Sequence, residues 1–191
     1  MLSGYEYTQL EKDALNLLVD YGFIEFPIDS FELASKAFNA KIVKYSSLSK
    51  EKLAAIKKSG EVLEDGFTIF EHLSNGNINY IIYYNDNRCE NRQRYTISHE
   101  MKHILYGEEF PNAKDEEGAE YFAKVLIAPK CLVILKKIKR PEDIVKHFKL
   151  SHESSIYHMD GIKNRIAAFG EELFEFEIEF LNHCKEIKNS K

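Results

Sequence analysis

The sequence predicts an α+β fold, a small antiparallel or mixed sheet packed on helices. Three observations predict it. Apolar residues recur at helical spacing near the N-terminus and again from about residue 90 onward. Between these stretches lie two β-rich runs, 66–72 and 78–84, joined by Ser74-Asn75-Gly76-Asn77, and Asn-Gly is a strong hairpin signal. Helices and strands are grouped rather than alternating, which argues against a wound parallel sheet.

Each element has its own signal. Leu10, Ala14, Leu17 and Leu18 mark a helix over 9–20. Pro27 stops it, and Asp29-Ser30 caps a second helix that runs to 40. Residues 41–45 read as a short strand, and Ser49 caps a helix over 50–58. After the hairpin, Asn85-Asp86-Asn87 ends the strand, and a helix runs from about 90 to 106, where Gly107 is a natural stop. Pro111 sits in the following loop, a helix spans 115–127, and Pro129 closes it or opens the next. Helical stretches follow Pro141. Phe174, Phe176, Ile178 and Phe180 alternate with Glu175, Glu177 and Glu179, and period two favours a strand with a solvated acidic face over a terminal helix. The expected division is a core over 1–130 and a mostly helical extension over 131–191 packed on it.

Composition narrows the function. The chain has 191 residues, 44% hydrophobic, enough to bury a core without staples. Three scattered cysteines, Cys89, Cys131 and Cys184, make neither a disulfide framework nor a cysteine-only zinc site. Lys+Arg 26 against Asp+Glu 31 argues against a phosphate-backbone binder, so no direct contact with nucleic acid is expected. No apolar run approaches the length of a membrane helix, and the N-terminus lacks the basic and apolar regions of a secretory signal. A cytoplasmic protein without membrane contact is expected.

The informative segment is Ser98-His99-Glu100-Met101-Lys102-His103, an H-E-x-x-H motif inside the 90–106 helix. Residues four apart share a helix face, so His99 and His103 can grip one Zn²⁺ as in a minimal, thermolysin-like zincin helix. Glu100 points in a neighbouring direction, where it can serve as general base toward water rather than as a ligand. A catalytic zinc takes a third protein ligand, and Asp115-Glu116-Glu117-Gly118-Ala119-Glu120 supplies several carboxylates. His147, His152 and His158 read as ordinary surface or partner-facing side chains. Tyr106 and Tyr121 are close enough in sequence to be considered as donors to an oxyanion.

The stretch from Arg94 through the H-E-x-x-H motif to Gly107 resembles the metal-binding helix of the ImmA/IrrE-type metallopeptidases. Glu116-Glu117-Gly118-Ala119-Glu120-Tyr121-Phe122-Ala123-Lys124-Val125-Leu126-Ile127-Ala128-Pro129 is similar to the second half of that family's signature, E-x-x-A-x-x-F-A-x-x-L-[L/I]-x-P. The resemblance covers roughly residues 9–130. It implies zinc held by His99, His103 and Glu116, with Glu100 as the catalytic carboxylate, while Glu117 and Glu120 stay close enough to compete with Glu116. Departures from the pattern are Met101-Lys102 where Leu-Gly is frequent, with Lys102 expected to face away from the zinc, and Glu120 where Asn is common.

The resemblance further implies a zinc-dependent peptidase that cuts a regulatory protein at a specific site, a helix-turn-helix repressor above all. Some members carry a DNA-binding domain at the N-terminus, and this chain is expected to be a stand-alone peptidase. An exposed hairpin edge suits an extended peptide substrate. The segment 141–156 has the outline of a helix-turn-helix, but its few basic residues suit helical packing or substrate docking better than DNA. The alternatives are a non-proteolytic module that keeps the fold and metal to bind a regulator, and a zinc hydrolase acting on something other than a peptide.

Overall fold

The computed structural model describes residues 1–58 and 65–189. Along the chain lie α1 (Gly4–Asp20), α2 (Ser30–Phe38), β1 (Lys41–Lys44), a 3₁₀ turn (Tyr45–Ser47), α3 (Lys50–Lys58), β2 (Gly66–His72), β3 (Ile78–Tyr84), α4 (Glu90–Tyr106) and α5 (Ala113–Ile127). Then follow α6 (Lys130–Leu135), α7 (Pro141–Phe148), α8 (His152–Phe169) and α9 (Glu175–Asn189). The fold is α+β with a mixed sheet. The chain divides into two compact units, Asp29–Ala119 and Met1–Ile28 with Glu120–Lys191.

The unit Asp29–Ala119 holds the whole sheet, in the order β1-β3-β2. β1 runs parallel to β3, and β2 pairs antiparallel with β3, with Gly66 opposite Tyr84 and His72 opposite Ile78. The Asn75-Gly76 turn closes the hairpin with Gly76 at φ 84, which a glycine adopts without strain. β2 is therefore an edge strand. α4 packs against the sheet and is buried along most of its length, Ile97 and Met101 completely. Asp29 caps α2 by accepting from the Phe31 and Glu32 amides, and Ser30 bonds Ser98 at 2.9 Å to tie α2 to α4.

Gly66 lets the hairpin approach α4. A Cβ there would lie 2.4 Å from Thr96 Cγ2 and 2.7 Å from the Tyr83 carbonyl oxygen. A helix as buried as α4 would normally be apolar, yet it carries Ser98, Glu100, Lys102 and His103 inside. Burying such groups is costly unless each finds a partner. Those partners build the site described below.

In the other unit, Ser3 and Glu6 form a capping box that starts α1 five residues earlier than apolar spacing alone indicates. Leu18, Phe122, Leu126, Ile144 and Phe148 are among its fully buried side chains. Ser151 caps α8 by accepting from the Ser154 amide. The segment expected as an acidic-faced strand is α9, and the reason is Glu177. Its carboxylate accepts from the Phe174 amide at 2.8 Å, as in a helix N-terminal cap, and pairs with Arg165 at 2.6 Å, both side chains buried. Glu177 thus points inward one turn before the buried Phe180, while Ile178 is exposed, so the period-two reading fails. His158, expected at the surface, is also buried and donates from Nε2 to the Ala128 carbonyl at 2.7 Å.

Candidate metal centre

α4 presents His99 and His103 one turn apart, with their Nε2 atoms 3.1 Å from each other. Gly107, in the left-handed region at φ 67, ends α4 and lets the chain double back. The return is anchored by Asn112. Its side chain accepts from the Lys114 and Asp115 amides, and its own amide donates to Asp115, which sets the first turn of α5. That turn carries Glu116. Its Oε2 lies 3.1 Å from His99 Nε2, and its Oε1 lies 3.5 Å from His103 Nε2. The two imidazoles and this carboxylate bring their donor atoms within 4.8 Å of one another. Glu117 and Glu120 are outside that group among the described residues.

Glu108 determines which face of His103 is available. Its carboxylate can only accept, so His103 Nδ1–H donates to it at 2.8 Å, and Nε2 is the ring nitrogen turned toward Glu116 and His99. Lys102 holds Glu108 in turn through two contacts of 2.5 and 2.6 Å, and donates to the Asp115 carbonyl at 3.1 Å. Lys102 is thus buried in a bridge from Glu108 to α5 rather than solvated. The hydrogen bond from His99, ahead of the opposing effect of burial, lowers the Glu116 carboxyl below its ordinary range. Two imidazoles and an ionised carboxylate converging on one point form a nitrogen and oxygen donor set suited to zinc.

Glu100 is 6% exposed and accepts from the Thr68 hydroxyl at 2.8 Å. The edge strand β2 therefore holds the buried carboxylate beside the histidines. A cavity of about 330 Å³ opens here, walled by Phe67, Thr68 and Phe70 on one side and by His99, Glu100 and Glu116 on the other. The sequence reading missed Thr68, Glu108 and the bridging role of Lys102. Glu108 follows directly on the Gly107 stop, which was its one available signal; nothing local marks Thr68. Tyr121 does not offer a free hydroxyl, since it donates to Glu11 and accepts from Lys130. Tyr106 is partly exposed, with the Lys102 ammonium over its ring.

The family model described as Peptidase_M78, IrrE N-terminal-like domain, matches residues 50–160, more than half of the chain. The chain belongs to this family. The match spans the hairpin, α4 and α5, so it contains every residue of the site described above. Membership in the IrrE N-terminal-like family supports a metallopeptidase-type function, and a peptidase implies a protein substrate. A comparison with curated proteins gives no match. No helix among the described residues is long and apolar enough to cross a membrane.

Proposed function

We propose that the chain is a zinc metallopeptidase in which His99, His103 and Glu116 hold the ion and Glu100 is the general base. The observation that carries this reading is the meeting of the α4 histidine pair with Glu116 of α5, 17 residues from His99. Zinc bound there would supply Lewis-acid chemistry, acidifying water and polarising a carbonyl. Glu100 takes the proton of the attacking water and delivers it to the leaving amine. Thr68 holds one oxygen of Glu100, which fixes the carboxylate plane and leaves the other oxygen for that proton. Glu108 keeps His103 in the tautomer a ligand requires.

Among the described residues β2 pairs with β3 alone, and its other edge would receive an extended peptide lying along the cavity wall. The substrate in this reading is a regulatory protein, most simply a helix-turn-helix repressor, cut at one site or a few in the cytoplasm. A binding module that keeps fold and metal without cutting is the second reading. The buried and oriented Glu100 favours the peptidase, because a binder has no use for a general base.

The test measures bound zinc and then compares wild type with Glu100→Gln on a candidate repressor. Cleavage by wild type alone, with zinc retained in both proteins, is the expected result. A Glu100→Gln protein that cuts at the wild-type rate overturns the mechanism. Tight, zinc-dependent repressor binding without cleavage by wild type selects the binding module.

A further inference from the structure

The cavity at the metal centre holds more acid than the chemistry proposed for it requires. Four carboxylates line it, those of Glu100, Glu108, Glu109 and Glu116. Three have tasks in that chemistry. Glu116 lies against the two imidazoles, Glu100 is held by Thr68, and Glu108 is held by Lys102 and His103. Zinc bound there would bring two positive charges, enough to offset Glu100 and Glu116, and the Lys102 ammonium offsets Glu108. Glu109 remains.

Among the described residues the Glu109 carboxylate has one side-chain partner, His72 at the end of β2, at 2.9 Å. The His72 side chain is 60% exposed and that of Glu109 is 35% exposed, and exposed pairs of this kind contribute little. The imidazole lies outside the cavity lining, so it can turn into water without disturbing the wall. The flanking charges do not cancel Glu109. Lys114 and Asp115 oppose each other on the first turn of α5, Glu71 bonds Asn79 on the other face of β2, and Arg88 and Arg92 are gathered on Asp65 at the other end of that strand.

Glu109 also stands at the end of a track. Thr68, Phe70 and His72 alternate onto one face of β2. Thr68 meets Glu100, Phe70 is buried in the cavity wall that Pro111 shares, and His72 meets Glu109. Thr68 and His72 are four residues apart, about 13 Å along a strand. An apolar stretch that ends in a carboxylate matches a long basic side chain, whose methylenes lie on apolar surface while its charged head meets an anion.

We propose that Glu109 selects a lysine or arginine of the substrate, within about four residues of the bond that is cut. This inference rests on the peptidase reading. The substrate cation takes the place of His72, with its stem along Phe70 and Pro111. A net charge of −5 on the chain suits approach by a basic segment.

The test uses the full-length, zinc-loaded protein and a proteome-derived peptide library prepared with a Glu-specific protease, which leaves lysine and arginine internal. Cut sites are read by mass spectrometry, and lysine and arginine should be enriched at one fixed position. The best-cut peptide is then compared with its twin carrying norleucine for lysine or citrulline for arginine. Wild type should prefer the basic peptide about fivefold in kcat/KM, and Glu100→Gln should bind it about fivefold more tightly by fluorescence anisotropy. Adding Glu109→Gln to either protein, with folding confirmed by far-UV circular dichroism, should remove both preferences. Cleavage without a basic preference, or a preference that survives Glu109→Gln, overturns this proposal and leaves the peptidase reading standing. No cleavage of any peptide overturns the peptidase reading and this inference with it.

Discussion

Gly66→Ala tests whether the close approach of the hairpin to α4 is what the fold depends on at the site. The added Cβ would lie 2.4 Å from Thr96 Cγ2 and 2.7 Å from the Tyr83 carbonyl oxygen. Carbon contacts are comfortable from about 3.5 Å, so a movement on the order of 1 Å is required. Thr96 cannot swing away cheaply, because it is β-branched and its hydroxyl donates to the Arg92 carbonyl at 3.0 Å. The Tyr83 carbonyl is backbone of the central strand and cannot yield alone. Overpacking of this kind costs about 1–3 kcal/mol. The assay is urea denaturation read as a midpoint at constant slope, in a double-mutant cycle with Thr96→Ser. Serine removes Cγ2 and keeps the hydroxyl, so part of the loss returns while the part due to the carbonyl remains. Peptidase activity should fall further than zinc content, since β2 carries Thr68 whereas the histidines sit on α4. An unchanged midpoint, or a loss that Thr96→Ser leaves untouched, would refute the packing argument.

Three further outcomes are expected. Glu116→Ala should lose zinc as measured by metal analysis, whereas Glu117→Ala and Glu120→Ala retain it; loss in either of the latter instead would reassign the third ligand. Lys102→Met with Glu108→Leu removes both charges of a buried pair together with the acceptor for His103 Nδ1–H, and should weaken zinc about 10–100-fold in a chelator competition, because His103 loses the group that orients it. Burial, ahead of repulsion from Lys130, pushes the His158 imidazole down to about 3, well under its ordinary range. The unfolded chain therefore binds a proton that the folded chain does not, so this residue's contribution is complete above about pH 6.5 and is lost as pH falls toward 3. The slope is at most about 1.4 kcal/mol per pH unit. Urea midpoints between about pH 5 and 6.5 should fall less steeply in His158→Gln than in wild type, and parallel curves would count against the assignment.

The elements that local chemistry controls were legible in the sequence. The hairpin follows from Asn75-Gly76, the end of α4 from Gly107 and the start of α2 from Asp29, because each depends on a few neighbouring residues and their backbone preferences. The helical spacing of His99 and His103 was equally readable. The alternating segment at 174–180 was not, because its outcome turns on Arg165, which lies twelve residues before Glu177 and supplies the buried partner that turns a glutamate inward. His158 was misplaced for the same reason: its partner is a carbonyl thirty residues away.

By itself, then, the sequence determined the paired imidazoles, the adjacent carboxylate and a short list of acidic third partners, since helix periodicity alone sets those relations. The family resemblance put Glu116 first on that list, and the tertiary structure brings it beside the two histidines, through the Gly107 reversal and the Asn112 cap. It also decided that Lys102 is buried and that Glu108 and Thr68 orient His103 and Glu100. The physical reason is burial. A polar side chain taken out of water must find a partner, and that partner is fixed by which strands and turns are brought against α4, not by spacing along the chain.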